Sequence, residues 1–201
     1  GTNLLVKAID ALSSCDCIKL DATPAGRLVY EKLGFEEEYG LSRMTNGKVS
    51  PIAPVESVPL RPMAPSDLGQ VAEMDTEAFG VPRRHVLEEF FKRAPEYAFV
   101  CQERDELRGF CVGRPGELFE HLGPLVARDG RAARALLEAA LGRLEGRSVM
   151  LDVPHGKPDW EHWLGAAGFA AQRPFVRMYR GENRYPGTQS LRYAVSGPEL
   201  G

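Results

Sequence analysis

The chain has 201 residues, of which 43% are hydrophobic and 26% charged, and its formal net charge is −3. This composition is typical of a globular protein with one large domain or two small ones. A mildly acidic chain lacks the basic excess that nucleic-acid binding requires, and no apolar run approaches the roughly 20 residues that span a bilayer. Because the N-terminus also lacks a secretory pattern, we expect a cytoplasmic protein that contacts neither nucleic acid nor membrane.

Four cysteines occur in the chain, at Cys15, Cys17, Cys101 and Cys111. They are too few, and lie in settings too apolar, for a disulfide framework. The Cys15-x-Cys17 pair could supply half of a metal site, but no second Cys/His pair follows at a zinc-like spacing. The sequence therefore favours buried reduced thiols and no bound metal.

The first part of the chain is predicted to contain two helices and two extended segments. Apolar residues at helical spacing predict a helix from Thr2 to Leu12. A strand from Cys17 to Leu20 precedes a Pro/Gly turn and a helix from Gly26 to Leu33, which stops at Gly34. An extended segment from Phe35 to Met44 follows and ends at the turn dipeptide Asn46-Gly47.

A proline-rich stretch without apolar periodicity, residues 48–57, is predicted to link this part to a second one. The second part is predicted to contain, in order, a strand 58–63, helices 66–79 and 81–94, strands 97–103, 107–113 and 118–127, a helix from 130 to about 144, a strand 148–153, a helix 159–167 and an extended segment through 180. This order predicts a mixed α/β fold with a central sheet covered by helices on both faces.

The two parts also repeat each other at nearly constant spacing. The matching pairs are Leu4-Leu5 with Leu136-Leu137, Leu20-Asp21 with Leu151-Asp152, Gly34-Phe35 with Gly168-Phe169, and Arg43-Met44 with Arg177-Met178. We therefore predict a duplication in which the first copy lacks its front half and the second copy is complete.

The motif Val-Tyr-Glu-Lys-Leu-Gly-Phe, from Val29 to Phe35, follows a strand and a Pro/Ala/Gly turn. It resembles the acetyl-CoA-dependent N-acetyltransferases of the Gcn5-related (GNAT) superfamily. The stretch Leu-Asp-Ala-Thr-Pro-Ala-Gly-Arg, together with the later Arg-Met-Tyr-Arg-Gly, is similar to the tandem two-domain members of that family. The resemblance implies the C-terminal half of a GNAT-like domain at 1–47, a linker at 48–57 and a second, degenerate domain at 58–201.

The resemblance further implies an enzyme that transfers the acetyl group of acetyl-CoA to a primary amine of a small molecule or peptide. The family has a tyrosine that protonates the departing CoA thiolate, and Tyr30 occupies that position. A phenol is a chemically suitable donor for a thiolate leaving group. The alternative is that Tyr30 only packs on a helix facing the core.

Five residues are expected at the cofactor by the same resemblance. Gly1 and Thr2 match the end of the family's pyrophosphate loop, whose backbone N–H groups and following helix dipole favour the negative charge. Thr23 stands where many members have an asparagine that touches the cofactor, and Gly26 and Arg27 lie near the same turn. Arg27 could meet a CoA phosphate, or could be an ordinary solvated arginine.

The second copy departs further from the family pattern. Arg131 replaces the first glycine of its loop and places a side chain where the backbone would approach the pyrophosphate. Leu164 stands at the position of Tyr30 and cannot donate a proton. We therefore expect the second copy to be non-catalytic.

Other features leave alternatives open. Trp160 and Trp163 lie one helical turn apart beside His162 and could line a substrate pocket, although a core or rim position is favoured. No histidine is assigned as a base, because no carboxylate or serine spacing implicates one. The alternative function is a non-catalytic GNAT-fold module that binds a ligand, regulates or dimerises, and a homodimer is among the assemblies that the resemblance allows.

Overall fold

The computed structural model describes residues 2–50, 58–198 and 200. Its helices are α1 (Thr2–Ala11), α2 (Pro24–Glu31), α3 (Leu68–Phe79), α4 (Arg84–Arg93), α5 (Gly130–Leu141) and α6 (Pro158–Ala166). Its strands are β1 (Cys17–Ala22), β2 (Glu36–Asn46), β3 (Leu60–Pro62), β4 (Phe99–Glu103), β5 (Glu106–Arg114), β6 (Glu120–Ala127), β7 (Val149–Pro154), β8 (Ala170–Gly181) and β9 (Arg192–Ala194).

All of these strands join one sheet, in the order β1-β8-β2-β7-β6-β5-β4-β3, with β9 paired to β6. Every pairing is antiparallel except that of β6 with β7, so the sheet is mixed, as predicted. The first part of the chain does not build a sheet of its own. Instead β2 inserts between β7 and β8, and β1 pairs with the outer side of β8.

Two large apolar clusters lie on opposite faces of the second part of the sheet, because successive strand residues point to opposite faces. On one face α5 and α6 bury residues such as Leu136 and Trp160 against Cys111. On the other face α3 and α4 bury residues such as Met74 and Phe90 against Phe110. Helices therefore cover both faces, as expected for this fold class.

Two buried ion pairs tie the first part of the chain to the second. Arg177 on β8 binds Asp21 on β1 through two hydrogen bonds, and both side chains are almost completely buried. Arg43 on β2 binds Asp152 on β7 in the same two-point manner, with both N–O distances at 2.9 Å. These four residues belong to the matched pairs of the sequence repeat, and each arginine binds the aspartate of the opposite part.

The strand at Cys17 acquires a partner on one side only. Its inner edge pairs with β8 from Cys17–Gly181 to Ala22–Val176. Along the other edge, no strand of the described ranges pairs with it. The α1 and α2 helices beside it expose large apolar side chains, with Leu4 75% and Leu28 62% accessible.

The predicted division of the chain into 1–47, 48–57 and 58–201 remains a prediction, because the strands of both parts share a single sheet.

Several predicted bounds were wrong for local physical reasons. The α2 helix begins at Pro24, two residues before Gly26, because the Thr23 side chain caps it. The α4 helix begins at Arg84 and not at Val81. Val49, predicted to lie in the linker, is buried and exchanges backbone hydrogen bonds with Arg147 and Gly146. Residues 51–57 of that linker lie outside the described residues, and β9 was not predicted.

The cysteines follow the prediction of buried thiols only in part. Cys101 and Cys111 are buried, and burial raises the pKa of Cys111 to about 12. Cys15 is exposed and Cys17 half-buried, because both lie at the edge of the sheet. Among the described residues, no three His, Cys, Asp or Glu side chains are placed to hold a metal ion. None of the helices in the described ranges is long and apolar enough to cross a membrane.

Replacing Arg177 with methionine should destabilise the protein by about 3–5 kcal/mol, because Asp21 would be left as a buried charge without its partner. Urea unfolding monitored by circular dichroism would measure this loss. As a control, Arg27→Met removes an arginine that forms ion pairs on the surface and should change stability little. Equal losses for the two variants would contradict a structural role for the buried pair.

The stability of the protein should also depend on Asp152 in acid. Burial alone would raise the pKa of this carboxyl, but His121 and Arg43 beside it hold the pKa below its ordinary value of 3.8. The unfolded chain therefore binds this proton more readily, and the stabilisation is present above about pH 4 and lost as the pH falls further. The stability difference between wild type and Asp152→Asn should shrink from pH 7 to pH 3 in urea titrations. The exposed Asp159→Asn should show no such trend.

Candidate functional site

The end of β1 is followed directly by a capped helix. The Thr23 hydroxyl accepts a hydrogen bond from the Gly26 N–H at 3.2 Å, and Pro24 occupies the first turn of α2. Pro and a threonine cap both favour a helix start at this point. On β1 itself, Ile18 and Leu20 pack towards α1 and α2. The cap therefore fixes α2 at the carboxyl end of a strand whose outer edge has no described partner.

Tyr30 lies half-buried on the inner side of α2. Its ring packs edge-on against Phe35, with ring centroids 5.8 Å apart. The same ring lies against Gly26, where an added Cβ would stand 3.1 Å from Cε2 of the tyrosine. Within the described ranges the Tyr30 hydroxyl has no hydrogen-bond partner. Its ring is thus held by packing while its hydroxyl stays available to another molecule.

Of the residues predicted to bind the cofactor, some lie beside Tyr30 and others do not. Thr23 and Gly26 lie beside Tyr30 in the first turn of α2, so the structure brings these three together. Arg27 lies on the exposed side, where its guanidinium binds the carboxylates of Glu31 and Glu37. Thr2 is the first residue of α1, and Gly1 lies outside the described residues.

A cavity of about 290 Å³ lies on the opposite face of β1, where β1 and β8 meet α3 and α4. Lys19, Phe79, Arg83 and Arg177 contribute to its lining. Each of the three cations has a carboxylate partner: Glu38 for Lys19, Asp75 for Arg83 and Asp21 for Arg177. The cavity therefore combines an apolar wall with cations whose charge is already balanced.

The corresponding region of the second part is built differently. Leu164, at the position equivalent to Tyr30, is fully buried in the core, so this helix offers no donor. Trp160 is also buried and stacks on Trp163 at 5.2 Å, and it lines a cavity as well, so its position fits both the core and the pocket interpretation. A larger cavity of about 620 Å³ lies at the start of α5 and α6, and Arg131 and His162 are among its lining residues.

The strands β6 and β7 pair only at their beginnings, at Glu120–Val149 and His121–Met150. Beyond that point they separate, and β9 lies between them. It pairs with β6 around Leu125 and Val126, and Val195 after it bridges to Asp152 on β7. The gap between β6 and β7 is therefore filled by the chain itself.

Two contacts were missed by the sequence reasoning. His155 Nε2 lies 2.8 Å from the Ser42 hydroxyl, although no spacing in the sequence links a serine to a histidine. The pair is exposed and comes together only because β2 and β7 are neighbours in the sheet. The lysine at 157 donates hydrogen bonds to the backbone carbonyls of Gln189 and Arg192, and no periodicity in the sequence indicates this contact.

Both the sequence and the fold of the chain are similar to those of known proteins. A family model described as an acetyltransferase (GNAT) domain matches residues 71–194. A holothin acyltransferase from a Pseudoalteromonas species is 27% identical over 198 residues, covering 96% of this chain and 65% of that protein. A provisionally assigned acetyltransferase from Pyrococcus horikoshii has a similar structure, with a TM-score of 0.77 and 26% identity over 100% of this chain and 66% of that one.

A GCN5-related N-acetyltransferase from Sphaerobacter thermophilus shares the fold, with a TM-score of 0.60 and 21% identity over 86% of this chain and 61% of that one. The chain thus spans about two thirds of the length of each of these relatives. The similarity to the first two extends over the first part of the chain as well as over residues 71–194.

Substituting Gly26 by alanine should move the Tyr30 ring without unfolding the protein. The new methyl group would meet the ring at 3.1 Å and the Thr23 hydroxyl at 3.3 Å, while alanine favours the helix by about 1 kcal/mol over glycine. We expect unchanged or higher thermal stability and a lower rate in any reaction that uses the phenol. Gly69→Ala, at an uncrowded helical glycine, serves as the control. A normal rate in Gly26→Ala would contradict the placement of the ring.

Proposed function

Because the chain belongs to the GNAT acetyltransferase family, we propose that it is part of an N-acetyltransferase that transfers the acetyl group of acetyl-CoA to a primary amine. The observation that carries the proposal is the Tyr30 hydroxyl, which has no partner in the described ranges and belongs to a helix that starts directly after β1, a strand whose outer edge has no described partner. The Tyr30 ring is half-buried and fixed against Phe35, while its hydroxyl is not tied to another described residue. A phenol held in this way fits a role towards a ligand.

In the proposed reaction, the amine nitrogen forms a bond to the thioester carbonyl carbon and the bond from that carbon to sulfur breaks. Tyr30 donates its phenolic proton to the departing thiolate, which leaves as the free thiol. The attacking nitrogen loses a proton to solvent, and the phenol is reprotonated from solvent. No charge is then left on the sulfur as it departs.

The residues around Tyr30 fit an extended acyl-CoA. The outer edge of β1 carries backbone N–H and C=O groups that no described strand uses, and the amides of a pantetheine arm can pair with such an edge. Gly26 leaves space for the tyrosine ring, and the Thr23 hydroxyl holds the turn rigid. Gly1, Thr2 and Arg27 are proposed to lie nearer the phosphates, and Arg27 would have to exchange Glu31 or Glu37 for a phosphate.

We place the amine acceptor in the cavity on the opposite face of β1. Its volume of about 290 Å³ suits a small molecule better than a peptide. Phe79 and Val86 offer an apolar surface there, beside Lys19 and Arg177. The relative named holothin acyltransferase makes holothin the first acceptor to test.

We also propose that the chain is a tandem arrangement, with half of one GNAT-like domain at 1–47 and a second, degenerate one at 58–201. The exchange of Asp–Arg partners between the two parts supports this reading, because the bonded residues are those that the sequence repeat relates. The pairing of β2 with β8 supports it too, since Leu41 and Phe175, which are equivalent in the repeat, face each other. A homodimer and a cytoplasmic location remain part of the proposal.

A second candidate function is a non-catalytic binding module. The observation that favours it is the second part of the chain, where Leu164 replaces the donor and β9 fills the gap between β6 and β7. In that case acetyl-CoA, or another ligand, would bind without turnover. The intact contacts of Tyr30 favour the enzyme.

Tyr30→Phe should bind acetyl-CoA with unchanged affinity but lose about 100-fold or more in kcat, because it lacks only the proton donor. Calorimetry would measure binding, and thiol release from acetyl-CoA in the presence of holothin and a panel of primary amines would measure turnover. Tyr179→Phe removes an exposed phenol bonded to Glu36 and serves as the matched control. Turnover that survives in Tyr30→Phe would exclude the proposed role, and binding without turnover in the wild type would favour the binding module.

A further inference from the structure

The gap between β6 and β7 is filled by residues 192–196 at the C-terminal end of the chain. Tyr193 is 7% accessible, and Ala194, Val195 and Ser196 are 3% or less. The Val195 N–H donates to the Asp152 carbonyl at 2.9 Å. This segment is therefore a buried part of the sheet and not a loop resting on it.

The neighbouring backbone is shaped for this segment. Gly123 on β6 has φ +148, and a Cβ there would stand 2.2 Å from the Val195 carbonyl oxygen. Only glycine allows two backbones to approach so closely. The edge of β6 therefore accommodates a strand at a distance that any other residue at position 123 would prevent.

Trp160 on α6 and Lys157, the residue just before α6, bind the same segment. Trp160 donates from Nε1 to the Tyr193 carbonyl at 3.0 Å, and its ring meets the Tyr193 ring edge-on at 5.3 Å. Lys157 donates to the Arg192 carbonyl at 3.0 Å. Counted back from the shared Gly-Phe motif, these two positions correspond to Gly26 and Thr23 of the first part.

At these two positions, therefore, the first part carries the small residues Gly26 and Thr23, and the second part carries hydrogen-bond donors that bind backbone carbonyls. Gly26 has no side chain and the Thr23 hydroxyl caps α2, whereas Trp160 and Lys157 bind backbone carbonyls of β9. In the second part, therefore, these positions hold a strand of the chain itself.

We infer that β9 is the permanent occupant of the gap between β6 and β7, and that it excludes acyl-CoA from the second part of the chain. The inference rests on the proposed function for its ligand, since a pantetheine arm would need the strand edges that β9 uses. The chain then binds one acyl-CoA, along β1. Arg192 fixes β9 from its other end, because its guanidinium binds the Tyr39 hydroxyl and the Pro186 carbonyl.

Hydrogen exchange of the backbone amides tests this inference directly. In wild-type protein the Val195 amide should be strongly protected, and saturating acetyl-CoA should leave its protection unchanged. Calorimetry on the same sample should give one acetyl-CoA per chain. Loss of protection at 192–195 on adding acetyl-CoA, or two molecules bound per chain, would overturn the inference.

Two variants of α6 separate a local loosening of β9 from a loss of stability of the whole protein. Trp160→Phe removes the hydrogen bond to Tyr193 while keeping an aromatic ring, and should speed exchange at Val195 about fivefold. His162→Ala, an exposed change on the same helix, should leave it unaltered. Equal exchange in Trp160→Phe and wild type would count against α6 as the receptor of β9.

The two proposals fail in different ways. If wild-type protein binds no acetyl-CoA while Val195 stays protected, the proposed function fails and the second gap is still closed by β9. If acetyl-CoA binds and Val195 loses protection, the function stands and this inference falls.

Discussion

The architecture depends on two arginines that each bind an aspartate of the opposite part of the chain. Asp21 and Asp152 are buried at the ends of β1 and β7, where an unpaired carboxylate would be costly. Arg177 and Arg43 reach them only if β8 lies beside β1 and β2 lies beside β7. Since β2 and β8 also pair with each other, charge compensation favours the order β1-β8-β2-β7 for these four strands.

The first and second parts of the chain share the same strand, turn and helix, but differ in the side chains that these elements carry. Both have a strand with an aspartate near its carboxyl end, a proline soon after it and a helix that stops before Gly-Phe. In the first part the helix presents a phenol whose hydroxyl has no described partner. In the second part the equivalent leucine is buried and the space beside the helix is taken by β9. The residues that build the shared frame are therefore distinct from the one for which we propose a chemical role.

The sequence predicted the mixed sheet and most of its elements because apolar periodicity and Gly/Pro turns are local signals. The repeat of Asp and Arg positions was visible as well, but their exchange between the two parts was not, because strand order is set by contacts distant in sequence. The strand β9 escaped prediction for a related reason. It has three residues and depends on Gly123, Lys157 and Trp160, which lie far from it along the chain.

Of the candidate site, only the proximity of the residues around α2 could be predicted. Thr23, Gly26 and Tyr30 fall within one helical turn or two, so their proximity follows from the helix itself. The cavity on the other face of β1 could not be predicted, because Phe79 and Arg83 reach it from α3 and the loop after it. The surface ion pairs of Arg27 were equally hidden, since Glu37 approaches from β2.

The insertion of β2 between β7 and β8 has a consequence for how the chain folds. β7 and β8 are joined through α6 but never pair with each other, so this unit cannot close as a local hairpin. β1 and β2 are made first and must await partners more than one hundred residues later. Contacts of such sequence separation carry a loop-closure cost before they stabilise anything, and they slow folding. The centre of the sheet is therefore expected to form last, after the hairpin of β4 and β5 and the helices that pack on it.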